Sequence, residues 1–287
     1  MIEEINEAYK GMSKSHKKIA DYILEHTENA AFLTAAKLAD ECDVSESTAV
    51  RFANMMGYEG YSDFQRALAA ELQRKLINKN TSRTDHYREN KNDVLKSVLV
   101  TDAQNIVDTI HLVDSASYDM ALELIEKAKR IYVIGIRTCS PLADYLGFYL
   151  NMIRPDVKVI NSMNINEIYE QLYWLDHDDL VIGISFPRYS IRTLKAMEYA
   201  NEKRASILGI TDCEYSPMNM YCSCSLWAKS DMITIADSLV APMSMINAIV
   251  VGLYIRNEEK VRKNLGNMED LWNNLETYRG DEFTDGV

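Results

Sequence analysis

Over roughly the first eighty positions, apolar residues recur at helical spacing in short segments, as in Ile19 and Ile23 and then Leu38 and Ala39. This predicts a small all-helical unit. From Asn78 to Asp93 the chain has no face that could be buried and reads as a linker. Helical spacing returns from Val94 to Lys127. Beyond Ile131 the short apolar runs IYVIGI, VKVI, LVIGISF, SILGIT and SLWA alternate with helical stretches. Parallel strands need crossover helices, so this alternation predicts a doubly wound parallel sheet of about five strands with helices on both faces. The expected fold is therefore two-domain, an all-α bundle followed by an α/β domain. The divisions fall at 1–78, 79–112 (linker and connecting helix), 113–258 and 259–287, the last a helix ending in the polar GDEFTDGV, which is expected to fray.

Residues 34 to 57, TAAKLADECDVSESTAVRFANMMG, carry the first chemical signal. Thr34 can cap a helix that buries Leu38 and Ala39. A turn at Asp43 and Val44 follows, and Ser45 can cap a second helix that Gly57 ends. On that second helix Ala49, Phe52, Ala53 and Met56 share one face, and Ser47, Thr48, Arg51 and Asn54 share the other. This is a helix-turn-helix with a polar reading face. Small hydroxyls near the helix start suit phosphates and base edges, and Arg51 can reach a phosphate or the acceptor pair of guanine in a double-stranded DNA operator. Ser62 to Gln65 is expected to open a bracing helix as a capping box.

The charge balance opposes that reading, which makes it informative. The chain carries a formal charge of −12, and its first eighty residues hold ten Lys and Arg against thirteen Asp and Glu. DNA attracts its partners through positive charge, so only local placement on the second helix, aided by its positive N-terminal dipole, can bind a duplex. The composition is otherwise that of a globular protein, 47% apolar and 26% charged. Five cysteines without a framework and an N-terminus without an apolar core imply the reducing cytoplasm. The uncharged stretch Leu239 to Ile255 contains Pro242, Ser244 and Asn247 and reads as a buried helix, with no membrane partner expected.

Two turns in the second domain have the chemistry of an anion site. After IYVIGI come Arg137, Thr138, Cys139 and Ser140, with Pro141 opening a helix. After LVIGI come Ser185, Phe186, Pro187, Arg188, Tyr189 and Ser190. Ligands of open α/β sheets bind beyond such strand ends, so Arg137, Thr138, Cys139, Ser140, Ser185, Arg188, Tyr189 and Ser190 are the candidate effector residues. No cofactor and no metal are expected: Cys222-Ser223-Cys224 lacks a second pair of ligands and reads as small strand residues. The turn at Gly135 lacks the later glycines of a dinucleotide fingerprint.

The run AKLADECDVSESTAVRFANMMGYEGYSDF resembles the N-terminal domain of the RpiR family of transcriptional regulators, which joins a helix-turn-helix to a sugar isomerase (SIS) domain. The segments RIYVIGIRTCSPLADYLGFYLN, DLVIGISFPRYS, ILGITDCEYSPM and DSLVAPMSMINAIV are similar to one branch of that family, so the resemblance spans nearly the whole chain. It implies a regulator of carbohydrate metabolism whose SIS domain binds a phosphorylated or acidic sugar. Ser185 and Ser190 match the outer members of the family's phosphosugar turn, whereas Pro187 and Arg188 depart from it. Arg137 and Cys139 stand where glycine and serine are common. The two arginines point to a ligand with additional negative charge or a carboxylate. A homodimer or homotetramer is expected, because paired reading heads must match half-sites about one helical turn apart. The alternative is a SIS-fold sugar phosphate isomerase or lyase with Glu167, Glu170 or His177 as base. Each of these lies in a helical or polar context that favours a solvated side chain, so no catalytic residue is assigned.

Overall fold

The structure, a computed structural model, describes residues 1–31, 33–68, 71, 94–231 and 237–274. The expected linker from Asn78 to Asp93 and the polar C-terminal tail lie outside the described residues.

The N-terminal head contains α1 (Ile2–Ala8), α2 (Lys14–Glu25), the short α3 (Thr27–Ala30), α4 (Ala35–Glu41), α5 (Glu46–Met55) and α6 (61–68). Apolar residues four apart on α2, Ile19 and Ile23, meet Leu38, Phe52 and Phe64 in one fully buried cluster. Phe52 and Phe64 pack edge to face with centroids 5.7 Å apart. Ser62 does not open α6 as a capping box. The helix already begins at 61, and the Gln65 amide donates instead to the Leu33 carbonyl, 2.8 Å away, beside a second bond from the Tyr61 hydroxyl. The buried Leu33 carbonyl in the bend between α3 and α4 competes successfully for that side chain.

The C-terminal body is built on β1 (Ile131–Gly135), β2 (Val157–Ile160), β3 (Leu180–Ile184), β4 (Ser206–Thr211) and β5 (Cys224–Trp227), all parallel in the order 2-1-3-4-5. β1 and β3 are buried along their whole length, as expected of central strands covered on both faces. Alternate residues divide the core. Ile131 and Val133 face α8 (Ser115–Lys127), α9 (Ser140–Ile153) and α12 (Val240–Arg256), while Tyr132 and Ile134 face α10 (Ile165–Leu172) and α11 (Ile191–Glu202). The chain described ends in α13 (Glu258–Asn274).

α7 (Val94–Leu112), expected as a connecting helix, packs against α12 and is tied to the body by hydrogen bonds. The Ser238 hydroxyl donates to Asp102 at 2.6 Å, and the Lys229 N–H donates to the Thr109 hydroxyl at 2.9 Å. The uncharged stretch from Leu239 forms α12, whose Met245, Ile246, Ile249 and Leu253 are buried in the core. Among the described residues no single helix is long and apolar enough to cross a membrane. Head and body touch where the Lys37 ammonium lies 3.6 Å from the centroid of the Tyr221 ring.

Candidate functional site

Two places combine exposed polar chemistry with a defined scaffold. The first is α5. Thr34 caps α4, accepting a bond from the Lys37 N–H at 3.3 Å. Asp43, at φ 50°, makes the turn and is held by the Lys18 ammonium through both its carbonyl and its carboxylate. Gly57, at φ 89°, ends α5 with its N–H on the Asn54 carbonyl. Ala49, Phe52 and Ala53 are buried, whereas Ser47, Arg51 and Asn54 are exposed and Thr48 is half-buried. Met56 sits half-buried at the C-cap, at the rim of the apolar face.

Ser45 occupies the N-cap position of α5, yet its hydroxyl does not cap the backbone. It pairs instead with the hydroxyls of Ser47 and Thr48, at 2.9 and 2.8 Å. Arg51 lies back along the helix, its Nε on the Ser47 carbonyl and its Nη2 on the Ser47 hydroxyl. The helix start thus presents one linked set of hydroxyls and a guanidinium. His16 of α2, which sequence reasoning missed, borders this face, with its ring 5.8 Å from that of Phe52. Burial and then the Arg51 charge lower its pKa from 6.5. Only the helical register of α2 against α5 brings it there, and no local motif marks it.

The second place is the carboxyl edge of β1 and β3. Gly135 pairs with Ile184, so the two strands end level and their following turns lie side by side. In the order 2-1-3-4-5 this is where the chain reverses direction across the sheet, the position at which such folds take ligands. A cavity of about 190 Å3 opens there, lined by Arg137, Thr138 and Cys139 from the first turn and Ser185, Arg188 and Ser190 from the second. Arg137 and Arg188 both adopt left-handed backbone, at φ 62° and 67°. The Ser185 hydroxyl accepts from the Ser190 N–H at 3.1 Å, and Ser190 in turn caps α11. Cys139 is buried, and burial pushes its thiol up to about 11, so it meets the cavity uncharged at neutral pH.

Ser140 and Tyr189 do not line the cavity. Ser140 is already in α9 and donates to Asp144. Tyr189 turns into the core beside α11, and its hydroxyl donates to Asp212 at 2.7 Å. A lining residue that sequence reasoning missed is Asp237, which accepts from Arg188 Nη2 at 3.2 Å on each oxygen and from the Thr138 hydroxyl at 3.4 Å. Of the residues considered as bases, Glu167 is held by the Ser162 hydroxyl at 2.6 Å and Glu170 is exposed on α10. His177 precedes β3, at the opposite edge of the sheet. The Cys222 and Cys224 thiols donate to the carbonyls of Met218 and Ser117, each finding a separate backbone partner.

With this geometry in place, two family models match the chain. The helix-turn-helix domain of the rpiR family covers residues 1–75, and the SIS domain covers residues 124–252. An uncharacterized HTH-type transcriptional regulator of Haemophilus influenzae is 28% identical over 224 residues, 77% of each chain. The HTH-type transcriptional regulator HexR of Escherichia coli is 23% identical over 282 residues, covering 94% of this chain and 93% of that one. Among solved structures, the NanR protein of Vibrio vulnificus complexed with ManNAc-6P is similar with a TM-score of 0.66 at 23% identity, over 96% of this chain and 98% of that one.

Proposed function

Because the chain belongs to the RpiR family of transcriptional regulators, with a helix-turn-helix followed by a SIS domain, we propose that it binds an operator through α5 and senses a sugar phosphate or sugar acid at the ends of β1 and β3. The observation that carries the effector reading is the strand-end cavity with Arg137, Arg188 and two serines around it. Guanidinium groups bind phosphate and carboxylate in bidentate fashion, and hydroxyls and turn N–H groups complete an anion's coordination. That the NanR structure holds ManNAc-6P supports a phosphorylated sugar as the class to try first.

On the DNA side, Arg51 must leave Ser47 to reach a base or phosphate, exchanging two exposed hydrogen bonds for charge-assisted ones to the duplex. Ser45, Ser47, Thr48 and Asn54 then position α5 on the backbone, with Thr34 holding the start of α4. In this reading residues 1–78 are the DNA-binding domain and 113–258 the sensing domain, with the segment between them supplying α7. Two copies act together. Leu95, Leu99 and Ile110 are exposed on α7, and Val251 and Ile255 on α12, apolar side chains on two helices that pack against each other. A ligand that alters how two bodies meet would alter the spacing of two heads, which a duplex reads in steps of one helical turn.

The test uses two variants. Arg51→Ala is expected to weaken operator binding by roughly 10- to 100-fold in a gel-shift assay at fixed salt while leaving ligand binding intact. Arg188→Ala is expected to abolish the ligand's effect on the melting temperature while leaving DNA binding intact. Loss of both activities in both folded variants would sink the two-site reading. Conversion of the compound to product would favour an enzyme.

A further inference from the structure

Asp237 is the one acidic side chain among the residues lining the cavity, and its side chain is only 9% exposed. A carboxylate is normally excluded from an anion site, since it repels the ligand and is costly to bury without a partner. Here its partners are themselves cavity residues, Arg188 and Thr138. The pairing is also far from the best that an arginine can make. One nitrogen, Nη2, serves both carboxylate oxygens at 3.2 Å, whereas a fork-to-fork pair uses two nitrogens at about 2.7–2.9 Å. A free phosphate or carboxylate entering the cavity could take the whole guanidinium edge.

We propose that Asp237 is an internal competitor for the effector's anionic group: its carboxylate holds Arg188, and the ligand binds by displacing it. The proposal rests on the strand-end cavity being the effector site. It adds a consequence for signalling, because the neighbouring residue is anchored elsewhere. The Ser238 hydroxyl donates to Asp102 on α7 at 2.6 Å, and the Ser238 carbonyl accepts from the Ser230 hydroxyl. Displacing Asp237 therefore acts on the contact between the start of α12 and α7, the helix that bears the exposed apolar residues Leu99 and Ile110. Occupancy of the cavity and the apolar surface share a short covalent and hydrogen-bonded connection.

The experiment is calorimetric titration of the full chain with inorganic phosphate, for the wild type, Asp237→Asn, Asp237→Ala and Arg188→Ala, with folding checked by circular dichroism. Removing the competing charge is expected to tighten phosphate binding by about fivefold, the equivalent of about 1 kcal/mol. Without phosphate the Asp237 variants are expected to melt below the wild type, and phosphate is expected to raise their melting temperature by the larger increment. Arg188→Ala is expected to lose phosphate binding. If Arg188→Ala loses binding but both Asp237 variants bind phosphate no better than the wild type, Asp237 orders the arginine and the competitor proposal is overturned. If Arg188→Ala binds phosphate as the wild type does, the cavity reading itself fails.

Discussion

Arg137 and Arg188 hold left-handed backbone at the two turns that frame the cavity, where a non-glycine residue is strained by about 1–2 kcal/mol. Glycine would relieve that strain, though its greater unfolded-state entropy costs about 0.5–1 kcal/mol. Arg137→Gly is thus expected to leave the melting temperature nearly unchanged while weakening binding of phosphate or a sugar acid, measured by thermal shift and titration. A large fall in stability would mean that Arg137 is structural instead. His16 offers a second test at this scale. Its folded pKa lies below the unfolded value of 6.5, chiefly through burial and then through Arg51. The unfolded chain therefore binds the proton first, and the contribution of neutral His16 is present above pH 6.5 and lost as pH falls through the folded pKa. His16→Gln is expected to flatten the acid side of the stability profile, read by thermal unfolding from about pH 7.5 down to 5. The polar residues of α5 and of the two strand-end turns were legible in the sequence as candidates to meet a duplex or an anion; His16 was not. Asp237 was not legible, because it meets Arg188 across 49 positions of chain, and only the sheet brings them together.

At the scale of elements, the turn from β1 into α9 depends on Gly135. A Cβ there would stand 2.5 Å from the Cys139 carbonyl oxygen and 2.9 Å from the Ala143 Cβ, so any side chain forces the strand end away from the helix. Gly135→Ala is expected to cost about 1–3 kcal/mol in urea unfolding and to weaken anion binding together with stability. In the head, Phe52→Ala removes a fully buried ring packed on Phe64 and is expected to cost about 3–5 kcal/mol in the same assay. The five strands and the helix-turn-helix were readable because continuous β-branched runs and a 3.6-residue period are strong local signals. The Ser62 box and the Ser45 cap were misread for a common reason. Both rest on which of several nearby polar partners a side chain selects: for Gln65 the distant Leu33 carbonyl, for Ser45 the adjacent hydroxyls of Ser47 and Thr48.

For the whole molecule, the proposed function asks an acidic chain to read DNA, and two copies to do so together. If α5 is the reading helix as proposed, the negative balance leaves few groups to contact phosphate, and affinity should fall with salt less steeply than for proteins with many phosphate contacts. Leu99→Glu combined with Ile110→Glu places charge on the exposed face of α7 and is expected to shift the protein toward monomer in light scattering, with operator affinity falling alongside. The order of two domains along the chain was plain from the change of periodicity near residue 80. How α7 packs on α12 was not, since its apolar residues spread around the helix rather than forming one stripe. The most direct test of the central claim is fluorescence anisotropy of an operator duplex, selected by the protein itself from a random pool. It is titrated with wild type and with Arg188→Ala, in the presence and absence of sugar phosphates and sugar acids. One such compound is expected to change the wild-type operator affinity and to leave that of Arg188→Ala unchanged, with both proteins binding DNA equally well in its absence. An equal response in the variant, or no selected duplex at all, would contradict it.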